Sequence, residues 1–185
     1  MAQAVAIGGI KLIEITWNSD RPTELIETLR CDLPNCIIGA GTLMNQMQVK
    51  EAIAVGAQFL FTPHTDPVLI HLSADRGIPL IPGALSPTEI VTAWQAGAPS
   101  VKVFPIQAVG GAGYIKSLQG PLGEIPLIPT GGVTVENALA FLKAGAIAVG
   151  LSSELFPQQA IAARDWQIVT QRALILLQNL SVIKS

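Results

Sequence analysis

The stretch 96-AGAPSVKVFP-105 closes one helix and opens one strand almost without a loop. The Ala-Gly pair suits a helix C-terminus, where glycine takes the left-handed conformation at little cost. The β-branched apolar run after it suits a buried strand. The same joint recurs at 6-AIGGIKLIEI, 54-AVGAQFLFTP and 144-AGAIAVGLSS. Further strands are read at 36-CIIGAGT, 78-IPLIPG and 125-IPLIPTGG. The segments 45-NQMQVKEAIAVG, 66-DPVLIHLSADRG and 86-SPTEIVTAWQAG read as amphipathic helices between them. Asn45 begins the first and Asp66 the second, while Ser86, Pro87 and Glu89 make a capping box for the third. Thr134 is expected to open 134-TVENALAFLKAG, and one long helix over about 158–181 to close the chain.

Strands alternating with helices at this spacing call for right-handed βαβ units and a parallel sheet. The expected strands lie near 11–17, 36–41, 58–62, 78–82, 100–104, 125–129 and 146–150. The fold expected is α/β, a (β/α)8 TIM-type barrel that lacks its first β-strand. A doubly wound open sheet is the alternative, but no GxGxxG turn follows a first strand. A chain of 185 residues suits one domain, here 1–185.

Half the residues are hydrophobic and 13% are charged, as in folds whose strands are buried on both faces. No uninterrupted apolar run is long enough for a membrane-spanning helix, so no membrane partner is expected. The net charge of −2 and the lack of a basic cluster give no footprint for nucleic acid. The two cysteines of 31-CDLPNC-36 match neither a zinc knuckle nor a redox CxxC motif. Read as reduced thiols, and with no signal peptide at the N-terminus, they point to the cytoplasm.

Chemistry collects at the C-terminal ends of barrel strands. In 100-SVKVFP, alternation sets Val101 and Val103 toward the helices and Lys102 with Phe104 inward. In 11-KLIEITW the inward set is Leu12, Glu14 and Thr16. One lysine and one glutamate thus share an apolar interior, which leaves two readings open. They form a structural ion pair, or desolvation keeps Lys102 nucleophilic for a Schiff base while Glu14 moves protons. The turn 129-PTGGV and the hydroxyls of 150-GLSSEL follow the last two strands, where exposed amides suit a phosphate. His64, in 61-FTPHTDP, reads as a loop histidine because no second ligand stands at metal spacing. No metal and no cofactor are expected.

Together, 14-EIT, 38-IGAGT, 59-FLFTP, 78-IPLIPG, 102-KVFP, 129-PTGGV and 150-GLSSEL resemble the 2-keto-3-deoxy-6-phosphogluconate aldolase family, class I enzymes that also cleave 4-hydroxy-2-oxoglutarate. The resemblance implies Lys102 as the Schiff-base lysine and Glu14 as the general acid and base. It implies Thr42, Pro63, Phe104 and Thr130 around pyruvate, and Gly131, Gly132 and Ser153 on phosphate. The implied reaction yields pyruvate and glyceraldehyde 3-phosphate. The implied assembly is a homotrimer, and the implied partner a phosphorylated keto sugar acid.

Asn18 stands where many members carry an arginine, so it joins the substrate-binding candidates and leaves the carboxylate anchor open. Asn18-Ser19 and the GLxS turn are similar to the related 2-keto-3-deoxy-6-phosphogalactonate aldolases, whereas Thr130 favours the gluconate type. Ser152 replaces a usual glycine beside Ser153, with crowding expected there, and Gln107 replaces a common glutamate. Members usually begin with a helix and strand before this chain's Met1, which accounts for the strand expected to be missing. Rival functions are a phosphosugar isomerase or epimerase, and an inactive truncated barrel.

Overall fold

The computed structural model describes residues 1–181. In chain order the elements are α1 (Ala2–Ile7), β1 (Leu12–Thr16), α2 (Pro22–Asp32), β2 (Ile37–Gly41), α3 (Gln46–Ala54), β3 (Leu60–Phe61), α4 (Pro67–Ala74), β4 (Leu80–Ile81), β5 (Gly83–Ala84) and α5 (Pro87–Gln95). They continue with β6 (Val101–Val103), α6 (Ala112–Leu122), β7 (Leu127–Pro129), α7 (Ala138–Lys143), α8 (Gln158–Ala163) and α9 (Trp166–Ser181). Leu12–Phe104 make one compact unit, and Met1–Lys11 with the chain from Pro105 on make another. Among the described residues, no helix is long and apolar enough to cross a membrane.

Within Leu12–Phe104 the strands run parallel in the order β1, β2, β3, β4, and β5 pairs with β6. The sequence suggests one strand over 78–82, but Pro82 divides it because proline has no N–H to give the ladder. Its carbonyl still accepts from the Lys102 N–H at 2.9 Å, so the path passes from β3 on one side to β6 on the other. Ile26, Ile38, Leu60, Ile90, Val101 and Val103 are fully buried in this unit. Each such side chain contributes about 1.5–3 kcal/mol of transfer free energy. The helix caps follow the sequence. Asn45 accepts from the Gln48 N–H, Asp66 from the Val68 N–H, and Ser86 with Glu89 closes its capping box.

In the other unit α1 packs on α9 through Gly8, where an added Cβ would meet Ala173 Cβ at 2.5 Å and the Thr170 carbonyl at 2.8 Å. Ile106, Ile115, Leu127, Phe141 and Val169 fill its core. Three expectations need correction here. The segment 146–150 is not a regular strand. It follows β7 through Ile147 N–H to Leu127 O and Gly150 N–H to Pro129 O, and only Thr130 and Gly150 make a bridge. Thr134 does not open a helix, since its hydroxyl accepts from the N–H groups of Glu136 and Asn137 and makes a turn. That competing local bond delays α7 to Ala138. The final helix is two helices, because Arg164 adopts a left-handed φ of 52° and breaks it between α8 and α9.

Candidate active site

β1 and β2 set Glu14 in place. Glu14 pairs in register with Gly39, and Thr16 with Gly41, so both glycines lie on the glutamate's face. A Cβ on Gly41 would collide with Glu14 Oε1, and one on Gly39 would meet the Phe59 ring at 2.5 Å. The glycines therefore make room for a carboxylate and an aromatic ring. Phe59 in turn stands edge-on to Phe61, with centroids 5.7 Å apart. Leu12, on the same face by alternation, is 61% exposed at the start of β1.

Lys102 comes from β6, between two fully buried valines, and is itself only 7% exposed. Its Nζ lies 5.3 Å from the Phe61 ring centroid and 5.0 Å from that of Phe104. Lys102 and Phe104 thus share a face, as alternation requires. Burial pushes the Lys102 amine below the ordinary lysine value, and the negative charge of Glu14 partly opposes it. Burial likewise raises the Glu14 carboxyl above the usual range, opposed by Lys102. Among the described residues the close ion pairs are Arg21–Asp20, Arg21–Glu24 and Arg172–Glu154, so Glu14 and Lys102 feel each other without locking together. A tight pair would hold the lysine charged and unreactive. This arrangement favours the neutral, nucleophilic form of the amine more than an exposed lysine would.

Thr42 ends β2 with φ 59°, a left-handed conformation that is uncommon for a β-branched residue. The twist moves the next ladder bond on by one residue, so that the Leu43 N–H donates to the Phe61 carbonyl at 3.2 Å. The N–H and hydroxyl of Thr42 make no hydrogen bond among the described residues. Pro63 follows β3, and its backbone packs against Gly83, the register partner of Lys102. Asn18 is exposed on the turn after β1 and makes no hydrogen bond among the described residues. Phe104 is 37% exposed at the end of β6.

In the unit from Pro105 on, Thr130 ends β7 and bridges to Gly150, whose Cβ would touch Thr130 Oγ1 at 3.1 Å. The turns 130–132 and 150–153 are therefore neighbours. Gly131 and Gly132 have φ of 83° and 92°, and a Cβ on Gly132 would collide with the Gln107 side chain. Gln107 closes on this turn from the other side as well, its N–H donating to the Gly131 carbonyl at 3.1 Å. Ser153 begins a short 3-10 turn, Ser153–Leu155, and is exposed. Ser152, beside it, is also exposed, with φ −132° and ψ −101°.

Sequence reasoning missed three contributors. Phe61 covers the Lys102 amine, and Gly41 seats the Glu14 carboxylate. Arg172 on α9 anchors the 150–155 turn, its Nε donating to the Glu154 carbonyl at 2.6 Å. The alternating glycines of 38-IGAGT were the available sign for Gly41. Nothing local announces Arg172. Among the described residues, no group of three or more His, Cys, Asp or Glu side chains could hold a metal ion.

Residues 1–172 match the model of the aldolase family described as KDPG and KHG aldolase. A 2-dehydro-3-deoxy-phosphogluconate aldolase of Pseudoalteromonas atlantica is 35% identical over 173 residues, covering 94% of this chain and 80% of that protein. The native KDPGal structure superposes with a TM-score of 0.90 at 30% identity, over 100% of this chain and 88% of the other. A KDPG aldolase from Legionella pneumophila, captured with pyruvate as a covalent carbinolamine, gives a TM-score of 0.85 at 29% identity, over 95% of this chain and 85% of the other. The fold is accordingly of their α/β, TIM-barrel type. A buried strand lysine within electrostatic reach of a half-buried glutamate, in a chain so matched along its length, leaves one assignment: it is an aldolase, a carbon–carbon lyase that belongs to the KDPG and KHG aldolase family.

Proposed function

We propose that this chain cleaves 2-keto-3-deoxy-6-phosphogluconate to pyruvate and glyceraldehyde 3-phosphate through a Schiff base on Lys102. The observation that carries the reading is the Lys102 amine, buried, disfavoured as a cation and within the electrostatic reach of Glu14. The neutral amine adds to the C2 ketone, and the carbinolamine hydroxyl leaves as water with a proton donated by Glu14, giving a protonated imine and the Glu14 carboxylate. Glu14 takes the C4 hydroxyl proton as the C3–C4 bond breaks, and the electron pair flows into the imine to make an enamine. The aldehyde departs. Glu14 then returns its proton to C3, and hydrolysis frees pyruvate and Lys102. A raised carboxyl pKa suits Glu14 to both directions of transfer.

In this reading the N–H and hydroxyl of Thr42, which make no hydrogen bond among the described residues, anchor the pyruvate carboxylate where no arginine stands at position 18. Asn18, Pro63, Phe104 and Thr130 line the substrate, and Gly131, Gly132 and Ser153 take the phosphate. The same lysine chemistry extends to 4-hydroxy-2-oxoglutarate, giving pyruvate and glyoxylate. The galactonate epimer is the second reading, favoured by Asn18 and by the likeness to the KDPGal structure. The enzyme works as a cytoplasmic homotrimer, an arrangement in keeping with the likeness to a cage designed from symmetric oligomeric domains.

The test is incubation with pyruvate, borohydride reduction and peptide mapping of the adduct. An adduct on Lys102, absent from Lys102→Ala, is expected. A folded protein that turns over the sugar acid without any adduct would move the reading to an isomerase-type mechanism. Assaying both epimers assigns the sugar.

A further inference from the structure

One strand-end residue remains outside that scheme. His64 follows Pro63 in the loop after β3, and that loop is unusually well fixed. The Thr62 hydroxyl, on a side chain 1% exposed, donates to the His64 carbonyl at 2.7 Å. The Thr65 hydroxyl donates to the Gly83 carbonyl at 2.9 Å. The Pro63 carbonyl packs where a Cβ on Gly83 would stand, and Gly83 pairs with Lys102. A loop closed on itself at Thr62 and held by Pro63 and Thr65 against the strand beside the lysine keeps its imidazole in a defined place.

The ring is asymmetric in its surroundings. Nδ1 is shut off from solvent and has no hydrogen-bond partner among the described residues, while the residue as a whole is half-buried. Nε2 makes no hydrogen bond among the described residues either, and it is not sealed in, so it is the nitrogen on the open edge. With Nδ1 closed off, Nε2 is the ring nitrogen that can meet a ligand, and bearing its hydrogen it is an N–H donor on the loop after β3.

We infer that His64 is a substrate-contacting specificity residue, whose Nε2–H donates to the C5 hydroxyl oxygen on the aldehyde half of a keto sugar acid. This rests on the aldolase reading above and extends it to the part of the substrate that pyruvate lacks. β3 lies two strand positions from β6, or about 10 Å. The Lys102 amine already stands 5.3 Å from the ring of Phe61 on β3, so a short sugar chain held on it extends along the strand ends toward the loop that follows. A site built to hydrogen-bond a hydroxyl discriminates strongly against substrates without it.

The experiment compares kcat/KM for 2-keto-3-deoxy-6-phosphogluconate and for 4-hydroxy-2-oxoglutarate, which has no C5 hydroxyl, in wild type, His64→Ala and His64→Gln. In His64→Ala the ratio of the two values should fall about tenfold, equivalent to roughly 1.4 kcal/mol, and His64→Gln, which keeps an N–H donor, should restore much of it. An unchanged ratio overturns the inference, whether both activities fall together (a structural role) or neither falls (a solvated loop histidine). Pyruvate trapping on wild-type Lys102 is run alongside. If that adduct does not form, the aldolase reading fails, and this inference fails with it.

Discussion

Glu14 occupies the space in which a side chain at residue 41 would lie: a Cβ on Gly41 would strike its Oε1. The carboxylate is thus seated by an absence, the bare face of a strand position two residues on from its register partner Gly39. Gly41→Ala should therefore displace the carboxylate while leaving β2 in place. We expect kcat for retro-aldol cleavage to fall about 10²–10⁴-fold, the usual worth of a positioned general acid or base. Steady-state kinetics with a circular dichroism control measures it. Activity within twofold of wild type would mean that Glu14 does not act from this position.

The amine and the carboxylate also predict a pH response. Imine formation needs neutral Lys102, whose pKa burial lowers from the ordinary value of 10.5 and Glu14 raises again. The rate of pyruvate trapping should rise with pH and reach its midpoint below 10.5. Removing the negative charge in Glu14→Gln takes away the influence that favours the ammonium form. The midpoint should then move to lower pH, and stopped-flow trapping across the pH range tests the sign. A shift upward would contradict the electrostatic coupling.

Thr42 should show a conflict between stability and activity. Its left-handed backbone is strained for a β-branched residue, at an expense of about 1–3 kcal/mol. Glycine relieves that strain, although it gives the unfolded chain about 0.5–1 kcal/mol of extra freedom. Thr42→Gly should therefore unfold at a denaturant midpoint equal to or above that of wild type, while KM for pyruvate in the aldol direction rises about tenfold through loss of the hydroxyl contact. Marked destabilisation would show that the hydroxyl serves the fold and not the ligand.

The 150–155 turn depends on a residue from far along the chain. Arg172→Met removes the Nε–Glu154 carbonyl bond and the contact with the Glu154 carboxylate. KM for the phosphorylated substrate should rise several-fold, by about the 1.5–3 kcal/mol of a charge-assisted bond at most. KM for 4-hydroxy-2-oxoglutarate should change much less. Equal changes in the two substrates would remove the phosphate role from this turn.

A purely structural prediction concerns the cap of α5. The Glu89 carboxylate accepts from the N–H groups of Leu85 and Ser86, which hold its pKa below the usual range, and the Ser86 hydroxyl accepts from the Glu89 N–H. Ser86→Ala should lower the unfolding free energy by about 1 kcal/mol without altering kcat. Urea denaturation gives the first quantity; a change in kcat would link the cap to the site.

Local chemistry wrote much of this protein into its sequence. The caps at Asn45, Asp66 and Ser86 were legible because each is a bond between residues two or three apart. Alternation over a few residues was enough to set Lys102 with Phe104 and against Val101 and Val103. A charged group in so apolar a run was already a question about chemistry. Thr134 misled for the same local reason, because a threonine that caps a helix and one that closes a turn use the same hydroxyl.

Tertiary structure decided what depends on groups distant in sequence. The left-handed turn at Thr42, the Phe61 ring over the Lys102 amine, the arginine behind the 150–155 turn and the orphaned nitrogen of His64 all arise from neighbours that no window of the sequence brings together. The lowered basicity of Lys102 belongs to this second class. Its residue type is a matter of sequence, but the loss of its hydration and the pull of Glu14 exist only once β1 and β6 have folded, because desolvation and Coulomb energy depend on distance in space and not along the chain.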